Sequence, residues 1–224
     1  MMPSYEELEI PDQFRTTSIN RQEGEFLYNL LKKDVLRRTL EVGFAYGCSA
    51  AYIIAATQTK HIVIDPYQHA FGNLGLKNIE KLGFSKYLVH RNEKSYAALC
   101  QLLREGASLD FVFIDGDHRF DTSLVDFYLI DLMLDIKGYV IFDDAWMRPI
   151  QLVGSFIDSN RKDYLQIKEC PQNFIVYQRI GKDERTWYHF EEFYTDKGKV
   201  YYQNFLKDLE KDPSKGIREL QLQS

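Results

Sequence analysis

Apolar residues along this chain fall into two alternating rhythms. Between 24 and 33, Phe26, Leu27, Leu30 and Leu31 recur at the spacing of one helical face. The run "RTLEV" (38–42) is short and strand-like, and 49–57 returns to a helical pattern. The alternation then repeats. Residues 61–65 ("HIVID") predict a buried strand stopped by Pro66, and 74–83 predict a helix closed by Gly83. Residues 87–90 predict a strand, 95–106 a helix ending at Gly106, and 109–115 ("LDFVFID") the most apolar strand of the chain. A long helix is expected over 122–138 with Gly138 as its stop, then a strand over 139–144 and a helix over 149–160 begun by Pro149. There the rhythm changes. Two strands, 164–170 and 173–180, are joined by little more than Pro171 and Gln172, which predicts an antiparallel hairpin. Five strand–helix alternations followed by a hairpin predict a doubly wound α/β fold. Its sheet is mostly parallel and seven-stranded, with the hairpin at its C-terminal edge. The charged, aromatic tail 181–224 predicts a peripheral helix at 199–211 ("KVYYQNFLKDLEK").

Composition narrows the class. A length of 224 residues suits one domain plus an arm or lid. A net charge of −5 with no long basic run gives no nucleic-acid footprint. No apolar run is long enough to span a membrane, and "MMPSYEELEI" does not read as a signal peptide. Cys48, Cys100 and Cys170 are far apart and fall in apolar segments. That pattern fits reduced thiols better than a disulfide framework, so the cytoplasm is the expected location.

Candidate chemistry starts at 39–50 ("TLEVGFAYGCSA"). An acid, Glu41, interrupts an apolar strand, and Gly43 and Gly47 flank the turn into the next helix. In such folds this is the carboxyl edge of the sheet, where ligands bind. Gly43 would let the backbone turn and approach a ligand, Gly47 would leave room at the helix start, and Ser49 is a candidate N-cap. A phosphate-gripping loop would need a Lys after Gly47. A dinucleotide fingerprint would need glycines at 45 and 48, where Ala and Cys stand. The pattern E-x-G-x-x-x-G-x-S instead suits a ligand with an amino group. A plain strand–turn–helix using glycine for geometry alone is the alternative. Asp65, ending the second strand, lies at the offset where an acid binds ribose hydroxyls, or else forms an Asp-Pro turn.

Residues 17–49 ("TSINRQEGEFLYNLLKKDVLRRTLEVGFAYGCS") resemble the opening of small class I S-adenosylmethionine-dependent O-methyltransferases. In that family a helix with E-G-x-F-L precedes L-E-[IV]-G-x-x-x-G-x-S. "FVFIDGDHRFDTSLVDFYLIDL" and "GYVIFDDA" are similar to later motifs of its cation-dependent sugar and macrolide branch. Catechol and caffeoyl-CoA O-methyltransferases are more distant. The resemblance implies a Rossmann-like methyltransferase domain over 22–180, an arm or lid over 1–21, and an extension over 181–224 that it does not cover. It implies that Glu41, Gly43, Gly47 and Ser49 surround the methionine part of S-adenosylmethionine and that Asp65 holds the ribose. Ser95 corresponds loosely to the adenine-side position, although 91–94 ("RNEK") lacks the family's small, Gly-containing turn, and a helix N-cap is its alternative role.

Three acids close the fourth and fifth strands: Asp115, Asp143 and Asp144. Parallel neighbours lie about 4.8 Å apart, so these carboxylates can converge on one point. Such a set suits a hard cation, Mg²⁺, that binds the acceptor hydroxyl, lowers its pKa and holds it near the transferable methyl group. Asp115 and His118 are the candidate catalytic residues. His118 is a candidate base or substrate-orienting group, with a structural histidine as the alternative. Trp146, Met147 and Arg148 either cover the acceptor or pack, and 12–21 is either a lid or a disordered arm. The expected activity is metal-assisted O-methylation of a sugar- or phenol-type hydroxyl. The alternative is a non-catalytic S-adenosylmethionine-binding protein, and the glycine spacing disfavours an NAD-type oxidoreductase. The expected partner is a small hydroxylated molecule, with no nucleic acid and no membrane. Homo-oligomerisation is expected through the arm or the C-terminal extension.

Overall fold

The computed structural model describes residues 2, 3, 5–15, 18–196, 198, 203, 204 and 207, and its first α-helix begins after Asn20. The Asn20 side chain accepts from the Glu23 N–H at 3.0 Å, and the Glu23 carboxylate accepts from the Asn20 N–H at 2.7 Å. This reciprocal capping box starts α1 (Arg21–Lys33), and Lys32 and Lys33 complement its dipole at the other end. Helix α2 (Cys48–Thr57) is buried along its whole length, because α1 covers the side that the sheet does not. That is why its sequence is apolar all round. Gly24 permits the close crossing: a Cβ there would collide with the Tyr52 ring.

Seven strands form one sheet: β1 (Thr39–Val42), β2 (His61–Ile64), β3 (Leu88–Arg91), β4 (Leu109–Ile114), β5 (Leu134–Phe142), β6 (Tyr164–Ile167) and β7 (Ile175–Arg179). Their order is β3-β2-β1-β4-β5-β7-β6. The first five are parallel, and β7 runs antiparallel between β5 and β6. The predicted sheet and its hairpin edge are therefore present. Alternate residues of each strand feed two cores. Phe111, Phe113 and Ile141 join α1 and α2 on one side. Val112, Ile114, Val140 and Phe142 meet α4 (Ser95–Arg104), α5 (Phe120–Asp131) and α6 (Arg148–Asn160) on the other. Helix α3 (Leu74–Lys81) ends before Gly83, which takes φ +73° as the sequence predicts.

Four expectations need correction or fall outside view. The helix expected over 122–138 stops at Asp131, and β5 begins at Leu134. Leu134 pairs with Leu109, and after a register shift Tyr139 pairs with Phe111. The apolar run 132–136 satisfies both periods, and pairing with β4 decides between them. The hairpin link is longer than Pro171–Gln172: β6 ends at Ile167 and β7 starts at Ile175. The N-terminal arm docks, with Leu8, Ile10 and Ile19 buried in the first core and the Asn78 side chain bonded to Glu9 N at 2.8 Å. The helix expected at 199–211 falls almost wholly outside the described residues. Among those residues no helix is long and apolar enough to cross a membrane.

Candidate active site

β2 and β3 lie on one side of β1, while β5 lies on the far side of β4. The chain therefore leaves β1 and β4 in opposite directions, and their carboxyl ends open a crevice. Gly43 lies at its floor with φ +91°. A Cβ on Gly43 would overlap the Asp115 carbonyl, so glycine is required for the approach of two backbone segments. Gly47 takes φ +74° and is itself the N-cap of α2, where Ser49 was expected. Ser49 lies inside the helix and donates to the Glu41 carboxylate. The other Glu41 oxygen is 3.0 Å from His61 Nε2, and the His61 Nδ1 is 2.9 Å from the Thr39 hydroxyl. Glu41 is thus buried within the protein's own polar chain, and burial pushes its pKa up.

A cavity of ≈ 510 Å³ fills the crevice, with Gly43, Asp65, Ser95, Tyr96, Asp115 and Thr122 among its lining residues. Asp65 is buried and accepts from the Ala45 N–H (3.0 Å), the Tyr67 N–H (2.7 Å) and the Gln68 amide (3.1 Å). It thereby ties the loop after β1 to the turn after β2. Ser95 is the first residue of α4 after the N-cap Lys94, so it is not the cap. Lys94 lies over the Tyr67 ring at the cavity mouth, 4.4 Å from its centroid.

Asp115 links this cavity to a polar cluster, in which ligand atoms of Asp115, His118 and Asp144 lie within 4.8 Å of one another. His118 Nε2 is 2.9 Å from Asp144 Oδ2 and 3.5 Å from Asp115 Oδ1. The two carboxylates raise the His118 pKa to about 10, so the ring is cationic at neutral pH. In return the His118 charge holds Asp144 below the usual carboxylate range. Asp144 is a non-glycine residue at φ +55°, and its Oδ1 accepts from the Trp146 indole N–H at 2.8 Å. A strained backbone thus aims its carboxylate at His118. Asp143 is not in this group of three. It is buried, its Oδ1 accepts from the Asn173 amide at 2.7 Å, and burial with the nearby Asp115 charge pushes its pKa up.

A second cavity of ≈ 690 Å³ opens beside Ala145 and Trp146. Asn20 and Glu23 from the start of α1 and Cys170–Asn173 from the hairpin link complete it. Asn173 also ties this wall to the strand ends, because its carbonyl accepts from the Ala145 N–H at 2.9 Å. Asn20, Glu23 and Asn173 line this cavity and are not among the residues expected from the sequence. The N-x-x-E spacing at 20–23 was a visible capping signal, whereas nothing local marks Asn173. A further cavity between α6 and residues 194–196, lined by Trp146, Arg148, Asp158 and Lys168, holds none of the predicted cofactor, metal or catalytic residues, but it does hold two of the residues expected either to cover the acceptor or to pack.

The donor set passes a test of fit for a divalent cation. Two carboxylates and one imidazole converge from a half-buried wall; the His118 proton now balances the two acids, and the ring would give it up to a cation that took over that balance. An imidazole among the ligands suits Mn²⁺ or Fe²⁺ better than the all-oxygen preference of Mg²⁺.

Residues 40–145 match the family described as a methyltransferase domain. Over 111 residues the chain is 32% identical to caffeoyl-CoA O-methyltransferase 1 of Eucalyptus globulus, covering 48% of this chain and 44% of that one. The chain thus spans about half the length of the curated relatives it matches. The solved O-methyltransferase TomG of Streptomyces achromogenes, in complex with S-adenosylmethionine, superposes with a TM-score of 0.63 at 17% identity. That superposition covers 78% of this chain and 92% of the other. The O-methyltransferase of Bacillus cereus, in complex with S-adenosylhomocysteine, gives 0.62 at 16% identity, covering 75% and 84%. The fold is that of Rossmann-like methyltransferases.

Proposed function

We propose, from this fold and this family match, that the chain is an S-adenosylmethionine-dependent methyltransferase acting on a hydroxyl of a small molecule. The observation that carries the reading is a polar cluster linked to two cavities, to one through Asp115 and to the other through Trp146, which bonds to Asp144. The first has the walls expected for the cofactor: Gly43, Asp65 and Ser95 at the carboxyl ends of β1, β2 and β3. The second, walled by Trp146 and Asn173, takes the acceptor. Asp115 lines the first cavity, His118 joins it to Asp144, and Trp146, bonded to Asp144, lines the second. Asp65 holds the ribose hydroxyls, and its existing bonds to Ala45 and Tyr67 keep it in place to do so. Gly47, Glu41 and Ser49, which do not line this cavity, act at one remove, by shaping the loop that faces the methionine part.

Asp115, His118 and Asp144 would hold a divalent cation, with Asp143 behind them. Such an ion, when bound, supplies Lewis acidity that lowers the pKa of an acceptor hydroxyl. The residues' own task is to orient that oxygen toward the cofactor's methyl group and to keep bulk water out, with Trp146 as the outer wall. Methyl transfer then breaks the bond from sulfonium sulfur to the methyl carbon, forms the oxygen–methyl bond, and needs no covalent enzyme intermediate. A sugar- or phenol-type acceptor fits the mixed polar and aromatic lining.

Calorimetry with S-adenosylmethionine, S-adenosylhomocysteine and NAD tests the cofactor. The first two should bind and NAD should not; tight NAD binding alone would overturn the reading. A panel of hydroxylated acceptors with methyl-labelled cofactor tests the activity. Turnover should vanish in EDTA and return with Mn²⁺ or Mg²⁺. Full turnover in EDTA, lost only in His118→Ala, would replace the metal with base catalysis by His118.

A further inference from the structure

The far wall of the first cavity is made by Lys94, Ser95 and Tyr96 at the start of α4 and by Thr122 on α5. Behind that wall, one turn along α5 from Thr122, stands Asp126, 1% exposed. Neither of its carboxylate oxygens has a hydrogen-bond partner among the described residues. A buried carboxylate in this state is costly, and it marks a group awaiting a partner. The Ser95 hydroxyl lies near enough to hold the Asp126 pKa down without reaching hydrogen-bond geometry. The Asp117 charge and, most of all, burial push the other way, up to about 6, so the group is mainly ionised at neutral pH.

A serine hydroxyl has one hydrogen to donate and two lone pairs that accept. Free in a wet cavity, it rotates to suit either kind of ligand group. When a nucleobase displaces water from the wall, the unpartnered carboxylate behind Ser95 is a strong acceptor for that hydrogen. With the hydrogen turned inward, only lone pairs face the cavity. Ser95 then accepts from a ligand N–H and repels a ligand carbonyl.

We propose that Asp126 is a positioning residue that fixes the Ser95 hydroxyl as an acceptor. The cavity thereby selects a purine carrying an exocyclic amine over its deaminated counterpart. The inference rests on the reading of this cavity as the S-adenosylmethionine pocket.

The test is calorimetric titration of the full chain with S-adenosylhomocysteine and with S-inosylhomocysteine, in which a carbonyl replaces the amine. The unaltered protein should prefer the amine by about tenfold or more, the worth of one hydrogen bond gained and one repulsion avoided. Asp126→Leu releases the Ser95 rotor, and the preference should fall to about twofold or less while S-adenosylhomocysteine still binds. Ser95→Ala should lose the preference to the same extent, and adding Asp126→Leu to it should change nothing further. Loss of a partnerless buried charge should also raise the melting temperature of Asp126→Leu, so misfolding is not the expected outcome. Binding of both ligands without preference by the unaltered protein, or a full preference kept in Asp126→Leu, overturns the inference and leaves the cofactor reading intact. No binding of either ligand overturns both.

Discussion

Adjacent acids at the end of β5 have different environments, and their substitutions should differ accordingly. Asp144 is half-buried, ionised and paired with His118, whereas Asp143 is buried, has its pKa raised, and bonds to Asn173. Asp144→Asn keeps a side chain that tolerates the left-handed backbone but removes the charge. Its metal-dependent turnover should fall about 100-fold or more while S-adenosylhomocysteine affinity is kept. Asp143→Asn replaces a group already biased toward its neutral form and should stay within about threefold of the parent. Equal, steep losses in both variants would return Asp143 to the ligand set that the sequence suggested. Asp126 makes a stability prediction. Burial raises its folded pKa from 3.8 to about 6. The sign follows from linkage: its contribution is full below the unfolded value and is lost as pH rises through about 6. The stability gained by Asp126→Leu over the parent should therefore grow between pH 4 and 7 by an amount on the order of 3 kcal/mol. Urea midpoints at the two pH values check this, and a pH-independent difference would contradict it.

Among the elements, the β1–β4 junction tolerates least. Gly43→Ala puts a methyl group on the Asp115 carbonyl at a positive φ, so it strikes the fold before it affects any ligand. The expected loss is on the order of 3–5 kcal/mol, seen as a large drop in urea midpoint. A Gly43 variant is for this reason a poor probe of cofactor contact. The start of α1 is milder and more informative. Asn20→Ala removes half of the capping box and should cost about 1 kcal/mol of stability. Because Asn20 and Glu23 also line the second cavity, the same change should raise KM for the acceptor and leave cofactor affinity alone. An unchanged KM would take α1 out of the acceptor wall.

At the scale of the molecule, the two ends of the sheet have separate duties. At the end opposite the crevice, buried Arg161 joins Asp131 at the end of α5 to Asp163 before β6, with 2.7 Å contacts to each. The Tyr164 hydroxyl donates to the same Asp131. The strand following α6 is thus fastened to the helix before β5. Removing the guanidinium would leave Asp163 buried without its cation, and Asp131 with only the Tyr164 hydroxyl and the more distant Arg179, 3.8 Å away. Arg161→Leu should cost about 3–5 kcal/mol in urea unfolding, with S-adenosylhomocysteine affinity unchanged where the chain is still folded. A loss of affinity without a loss of stability would connect the two ends in a way the contacts do not.

Local pattern determined much of this protein. The strand–helix alternation placed five parallel strands and a hairpin, because each period buries one face of its own element. The motif glycines and the acids at strand ends located the crevice, since a doubly wound sheet puts its carboxyl ends together. Pairing decided what local pattern left open. The run after Asp131 fits a helix or a strand, and only β4 beside it makes it β5. Side-chain direction was also out of reach. Glu41 reads as a cofactor residue, yet His61 across the sheet and Ser49 on α2 occupy its carboxylate. Asp143 and Asp144 are neighbours in sequence, and a positive φ at one and an asparagine 30 residues away from the other send them to different partners. Asp126 and Asn173 lie in ordinary-looking stretches and gain meaning from what packs beside them. Sequence carries the period of burial; contacts between distant residues, which fix direction, burial and charge, exist only once the chain has folded.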